Sequence, residues 1–346
     1  MARKATLQIH KFTNKLILNQ WLMSLFGIDP LQEYKDNTRP FHKLAAPIKD
    51  AGLEGYDTDG LHKFYHALVE SELFYNELHP LSKEQLLIYE ENIVSYTKTI
   101  NSMRSRPIVW KYFQWLTLLF VEIYLDRYFT DKQKLLDDLN SYIRRFNERW
   151  TGFRDIDPYS LDDLNKICLQ NATGSGKTLL MHVNLLQFRN YAKKSREGRE
   201  ISRVILLSPN ERLSEQHLEE LKLSGFSFAQ RLNTKQDGSI DMIDVIEITK
   251  LGDTEGPNTI ATRSLGDQNL LLVDEGHRGM SGKEEGVWFT RRSDLCAKGF
   301  TFEYSATFAQ AVAAANNRAL EDSYAKAIIF DYSYRWFYED GFGKDY

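Results

Sequence analysis

Cysteine is scarce: Cys168 and Cys296 are the two in a chain of 346 residues. They make no disulfide framework and have no metal-ligand spacing, which suits a reducing, cytoplasmic compartment. An excess of one charge sign is also missing, the net value being −4. That gives no global sign of a nucleic-acid partner, so any such binding has to use a local patch. Long apolar runs are absent too. The greasiest stretch, "YFQWLTLLFV" from Tyr112 to Val121, is bounded by Lys111 and Glu122. It reaches about half of the roughly 20 residues that a membrane span requires, and it predicts a buried helix with no membrane contact. The N-terminus "MARKATLQIHKF" has no apolar core after its charges, so no signal peptide is expected. No internal repeat or low-complexity tract is visible.

What is there is long enough for two or three domains, each with its own core. A hydrophobic content of 42% and a charged content of 27% are ordinary for a globular protein. Up to about Trp150 the sequence reads helical. "DGLHKFYHALVESELFYNEL" spaces Leu61, Phe64, Tyr65, Leu68 and Leu73 at helical intervals. Ser82 followed by Gln85 has the form of a capping box before another amphipathic run. Further helices are expected over about Val109–Phe129 and Asp131–Trp150, with Pro30, Pro40, Pro47, Pro80 and Pro107 in the connections. The chain is thus expected to divide into an all-α part, residues 1–150, and an α/β part, residues 151–346.

In the second part short apolar runs alternate with helical segments: "ICLQ", "VILLS", "DVIEI", "LLLVD", "TFEYS" and "AIIFD". Such alternation predicts a parallel sheet with helices on both faces. Ligands of these sheets sit at the C-terminal strand ends, so the polar punctuation there should carry the chemistry.

The first run opens into Thr173-Gly174-Ser175-Gly176-Lys177-Thr178 and then a helical segment. Glycines let backbone N–H groups turn toward an anion, and the helix N-terminus adds partial positive charge. In a P-loop of this form Lys177 reaches the outer phosphates and the Thr178 hydroxyl holds Mg²⁺. Asn171 stands where the general signature has its first glycine. The bland alternative, a glycine-rich turn without function, fits the strand–loop–helix context poorly. A second run ends in Asp274-Glu275-Gly276-His277. Asp274 is placed to fix Mg²⁺ and Glu275 to deprotonate an attacking water. A third ends in Ser305-Ala306-Thr307, which alone means little, since Ser and Thr favour loops.

Taken in order, "ATGSGKT", "DEGH" and "SAT" resemble motifs I, II and III of superfamily 2 helicases and translocases. "ILLSPNERLSEQ" (Ile205–Gln216) resembles motif Ia, and "ITKL" (Ile248–Leu251) the next nucleic-acid-contact motif. The forms "VDEGHRG" and "FEYSATF" are closest to the helicase subunit of type III restriction enzymes and related phage-defence proteins. The resemblance runs from about Leu161 to Asp331. It implies a RecA-like P-loop fold, ATP and Mg²⁺ as ligands, and ATP hydrolysis driving movement on nucleic acid, DNA in preference to RNA. It also gives His277 a coupling role, linking the γ-phosphate to Ser305 and Thr307. An adenine-reading glutamine is implied upstream of the loop. Gln170 lies too close for that role, and Tyr159 is the candidate for stacking on the base.

A motor of this superfamily needs a second RecA-like domain with arginine fingers, so the chain reads as the N-terminal part of a longer protein, slow or inactive in hydrolysis alone. Whether the parent carries a nuclease is open at this stage. Residues 1–150 hold 20 Lys+Arg against 19 Asp+Glu, favouring an accessory role with protein partners in a restriction or defence complex. His62, His66 and Glu70, at i, i+4 and i+8, lack a fourth zinc ligand and read as a polar stripe. Basic "AKKSREGREISR" (Ala192–Arg203), like Arg144, Arg145 and Arg149, reads as solvated surface before phosphate contact. The competing function, from another class, is a nucleotide-dependent switch or scaffold that gates a partner without unwinding.

Overall fold

The computed structural model describes residues 12–35, 39–74, 80–149, 154–232, 239–278, 280 and 285–343. The helical half comprises α1 (Ile17–Ser24), α2 (Pro30–Lys35), α3 (Pro40–Ala45), α4 (Lys63–Val69), α5 (Lys83–Asn101), α6 (Tyr112–Thr130) and α7 (Lys132–Arg149). There follow β1 (Lys166–Asn171), α8 (Lys177–Ala192), α9 (Arg196–Arg199), β2 (Arg203–Ser208) and α10 (Glu211–Leu223). The chain continues through β3 (Ala229–Arg231), β4 (Ile243–Glu247), β5 (Leu251–Gly252), β6 (Ile260–Ala261) and β7 (Asn269–Asp274). It ends with α11 (Glu285–Leu295), β8 (Phe300–Ser305), α12 (Phe308–Ala315), α13 (Arg318–Ala327), β9 (Ile328–Tyr332) and α14 (Tyr334–Glu339).

Seven strands form one parallel sheet in the order β3-β4-β2-β7-β8-β1-β9, and β5 pairs with β6 apart from it. Alternation along the strands separates two apolar faces. Val204, Leu206, Leu270, Leu272, Phe300, Phe302 and Tyr304 face one core. Ile205, Leu207, Leu271 and Val273 face another with Leu295 of α11, and Cys168 and Ile328 pack with α12 and α13. Because every strand points the same way, Asn171, Ser208, Asp274 and Ser305 end at one edge.

Local sequence accounts for the helices that hold this sheet. The Ser82–Gln85 capping box forms and starts α5. Helix α6 has apolar residues on every side because it is buried along most of its length, unbroken from Trp115 to Leu125. The helix expected over residues 59–78 is shorter: α4 stops at Val69, where the Ser71 hydroxyl donates to the Leu68 carbonyl, and a turn of 3₁₀ helix, Glu72–Phe74, follows.

The apolar cluster of the first sheet face is continuous with the helical half. Phe113 stacks on Tyr332 at 4.1 Å, and Phe120 meets Phe330 edge-on at 5.5 Å. Within this core Glu122 of α6 accepts from Asn92 Nδ2 of α5 at 2.9 Å. It also accepts from Gln187 Nε2 at 2.7 Å and Tyr191 OH at 2.9 Å, both of α8. Burial outweighs these donors and pushes the carboxyl up to about 7.

Several weak signals resolve here. His62 precedes α4 and is buried, its Nδ1 2.7 Å from Glu90 Oε1, while His66 pairs with Asp59 at 3.0 Å. The two rings therefore serve different partners. Among the described residues no group of His, Cys, Asp and Glu has the makings of a metal site. Of the basic stretch, Arg203 is buried and bonded to Asp244 at 2.6 Å, while Lys193, Lys194 and Arg199 are exposed. No described helix is long and apolar enough to cross a membrane.

Candidate functional site

The loop between β1 and α8 takes its shape from two glycines. Gly174 and Gly176 have φ of +82° and +88°, the left-handed region that side chains avoid. A Cβ on Gly176 would also lie 2.5 Å from Gln114 Nε2. That amide belongs to α6: it donates to the Ser175 carbonyl at 2.8 Å while its Oε1 accepts from Lys111 N at 2.8 Å. A helix residue 61 positions upstream thus braces the loop. Several side-chain polar atoms of the loop make no hydrogen bond. Lys177 Nζ, Ser175 Oγ and both amide atoms of Asn171 are buried with no hydrogen-bond partner. Buried polar atoms are rarely left so without a ligand to meet. Orphaned donors, open glycine backbone and a helix N-terminus together fit a polyphosphate. Thr173 and Gly174 are exposed, and Thr178 is half-buried on the first turn of α8.

Across from the loop, the turn after β7 is under strain. Glu275 has φ of +54°, costly for a residue with a side chain. Surrounding bonds hold it there: Glu275 N donates to Asp274 Oδ1 at 3.0 Å, Arg278 N to Glu275 O at 2.9 Å, and Gly276 N to Tyr304 O at 2.9 Å. Buried Arg292 of α11 adds two more, to the carbonyls of Gly276 at 2.8 Å and Arg278 at 3.2 Å. Gly276 is closely packed, since a Cβ would sit 3.0 Å from Glu303 Cβ and force its neighbours to shift.

The strained turn aims Glu275 at both neighbours. Its Oε1 lies 3.6 Å from Lys177 Nζ and its Oε2 3.3 Å from His277 Nδ1. The hydrogen bond from His277, helped by the Lys177 charge, holds its carboxyl below the ordinary range against the effect of burial. Glu275 is therefore ionised and able to accept a proton. His277 Nδ1 is also 2.7 Å from Ser305 Oγ, whose oxygen accepts from Thr307 N at 3.0 Å and lies 3.5 Å from Thr307 Oγ1. Asp274 Oδ2 meets His217 Nε2 of α10 at 3.0 Å. Lys177, Glu275, His277 and Ser305 thus form one connected line from loop to third strand end.

A family described as type III restriction enzyme, res subunit, matches residues 132–310. The chain belongs to that family. The matched stretch is a superfamily 2 helicase/ATPase domain of restriction type, a kind of domain that binds ATP. It starts in α7, earlier than the motif resemblance near Leu161, and includes motifs I to III. No curated protein matches the chain.

One expectation needs adjustment. Tyr159 is buried, with its hydroxyl donating to the Lys326 carbonyl at 2.7 Å. Lys326 precedes β9, so the ring sits at the N-terminal edge of the sheet, a strand length of roughly 20 Å from the loop. It cannot stack on a base bound there. Gln170 is structural: its amide donates to Asp331 Oδ1 at 2.8 Å and its oxygen accepts from Ala309 N at 2.7 Å. Gln114, His217 and Arg292 are residues of the site that no motif marks. Gly279 of "VDEGHRG" lies outside the described residues.

Proposed function

We propose that the chain is the ATP-hydrolysing motor part of a restriction-type enzyme that moves along double-stranded DNA. The observation that carries the reading is the His277 ring, one nitrogen of which reaches both the Glu275 carboxylate and the Ser305 hydroxyl. A change at the phosphate end of this line has a direct route to the segment after β8. In this reading Thr173 to Gly176 offer backbone to the phosphates and Lys177 neutralises the outer ones. Thr178 and Asp274 would hold Mg²⁺, which when bound supplies positive charge against the phosphate oxygens. Glu275 takes a proton from the attacking water, and its depressed carboxyl keeps it in the accepting form. Gln114, its amide on the Ser175 carbonyl, steadies the phosphate loop. Residues 151–346 would be the RecA-like motor unit and residues 1–150 an accessory unit offered to protein partners.

Triplex displacement by the full-length protein tests the motor. ATP-dependent displacement from double-stranded DNA is expected. Hydrolysis without displacement would favour the second reading, a nucleotide-dependent switch. That reading has one observation in its favour, the Gln114 brace through which the helical half touches the loop. Stimulation by RNA in place of DNA would change the track and leave the motor standing.

A further inference from the structure

His217 lies on the buried side of α10, at helical spacing from Leu213, Ser214 and Leu221. Its side chain is 4% exposed. The ring's hydrogen bond is to Asp274 Oδ2, 3.0 Å away, and its Nδ1 is buried without a partner. A carboxylate only accepts, so Nε2 carries the proton in this contact. The other oxygen of Asp274 accepts from Glu275 N at 3.0 Å. Each oxygen is therefore tied to a different element, one to the strained turn and one to α10. Rotation of the carboxylate is restrained from both sides, while each oxygen keeps a further lone pair for a ligand.

The far end of α10 is anchored as well. Ser224, its C-cap, meets His182 Nδ1 of α8 at 2.8 Å and accepts from Arg104 Nη2 of the helical half at 2.8 Å. Arg104 also reaches Glu220 of α10 at 2.9 Å. The helix cannot slide along the sheet without breaking these bonds, so His217 is held against Asp274 from two directions.

We propose that His217 is a positioning residue for Asp274, presenting this carboxylate to Mg²⁺ in one orientation through the Nε2–H bond. The proposal rests on the reading of Asp274 as the metal-side acid. Outer partners of metal ligands commonly change metal affinity by about 10–100-fold when removed.

Three chains decide it: wild type, His217→Gln and His217→Asn. The glutamine amide reaches the place of Nε2, whereas the asparagine amide stops near that of Nδ1. A fluorescent ATP analogue is titrated into each with excess Mg²⁺ and again with EDTA, and the ratio of the two Kd values is the Mg²⁺ factor. The Asn variant is expected to lose about tenfold in this factor, with its Kd in EDTA within about twofold of wild type. The Gln variant should recover most of the loss. An unchanged factor in the Asn variant, or an equal loss with and without Mg²⁺, overturns the proposal. A wild type with no Mg²⁺ factor at all overturns instead the assignment of Asp274. Should the variants not fold, the Nε2–H resonance of His217 in histidine-labelled wild type gives the answer. It should shift when Mg²⁺ joins the bound nucleotide, and a resonance indifferent to Mg²⁺ sinks the inference.

Discussion

Ser305 Oγ lies 2.7 Å from His277 Nδ1, so the end of β8 is bonded to the turn that follows β7. If this contact transmits hydrolysis to movement, Ser305→Ala with Thr307→Ala leaves nucleotide binding nearly intact. Translocation per ATP should then fall more than hydrolysis does. A simple loss of about 1 kcal/mol per hydrogen bond, with an unchanged step-to-ATP ratio, would reduce these hydroxyls to strand-end caps. Melting, ATPase and translocation assays on the same variant separate the outcomes.

The Lys177–Glu275 pair makes a second forecast, because its members have opposite tasks. Lys177→Ala removes a charge from the phosphate cradle and should abolish nucleotide binding and turnover together. Glu275→Gln leaves Asp274 and the loop untouched, so ATP should stay bound while hydrolysis drops by about 10²–10⁴. Equilibrium binding beside steady-state ATPase in the full-length protein checks both. Parallel loss of binding in the two variants would contradict the assigned roles.

The brace beneath the loop is open to a direct test. Gln114→Ala deletes the bond to the Ser175 carbonyl and should cost about 1 kcal/mol of stability. Its nucleotide affinity should fall by at most roughly fivefold, the binding equivalent of that whole energy. Gly176→Ala should do more damage, since its φ of +88° adds about 1–2 kcal/mol of backbone strain and its Cβ displaces the same amide. Denaturant titration with nucleotide binding reads both, and a Gly176→Ala chain that binds normally would disprove the account of the loop.

Glu122 predicts a pH dependence of stability with a definite sign. Folded, its carboxyl keeps a proton up to about 7; unfolded, it loses it near the ordinary 4.5. Between these values the folded chain holds the extra proton, so this group's contribution to stability declines as pH rises and levels off above about 7. Glu122→Gln is uncharged throughout. Relative to wild type it should gain up to about 3 kcal/mol from about pH 5 to about pH 8. Denaturation curves across that range measure it, and parallel wild-type and variant profiles would show that the carboxyl is not neutral when folded.

The strands and the motif ends were legible in the sequence because each carries its own mark: an apolar run long enough to be buried on both faces, closed by polar residues. "LLLVD" and "TFEYS" end as expected at Asp274 and Ser305. β3 and the β5–β6 pair, of three and two residues, are too short to show a period. Gln114, His217 and Arg292 were hidden for another reason. Each acts on a segment remote in sequence, and a cross-element hydrogen bond leaves no spacing behind. Tyr159 was misjudged because nearness to the loop in sequence does not carry across a strand, which moves the chain from one edge of the sheet to the other.

The position of β1 in the sheet has a consequence for the protein's making. Its hydrogen-bonded neighbours are β8 and β9, residues 300–305 and 328–332, whereas β1 itself spans 166–171. While the ribosome is still working through the intervening chain, the strand that carries the phosphate loop has neither neighbour. At about 5–20 residues per second the wait is on the order of ten seconds. During that time β2 and β7 can already pair, and the nucleotide cradle is the late arrival. A nascent chain released before Phe300 would therefore keep β2 paired with β4 and β7 and still leave the strand of the phosphate loop without a neighbour.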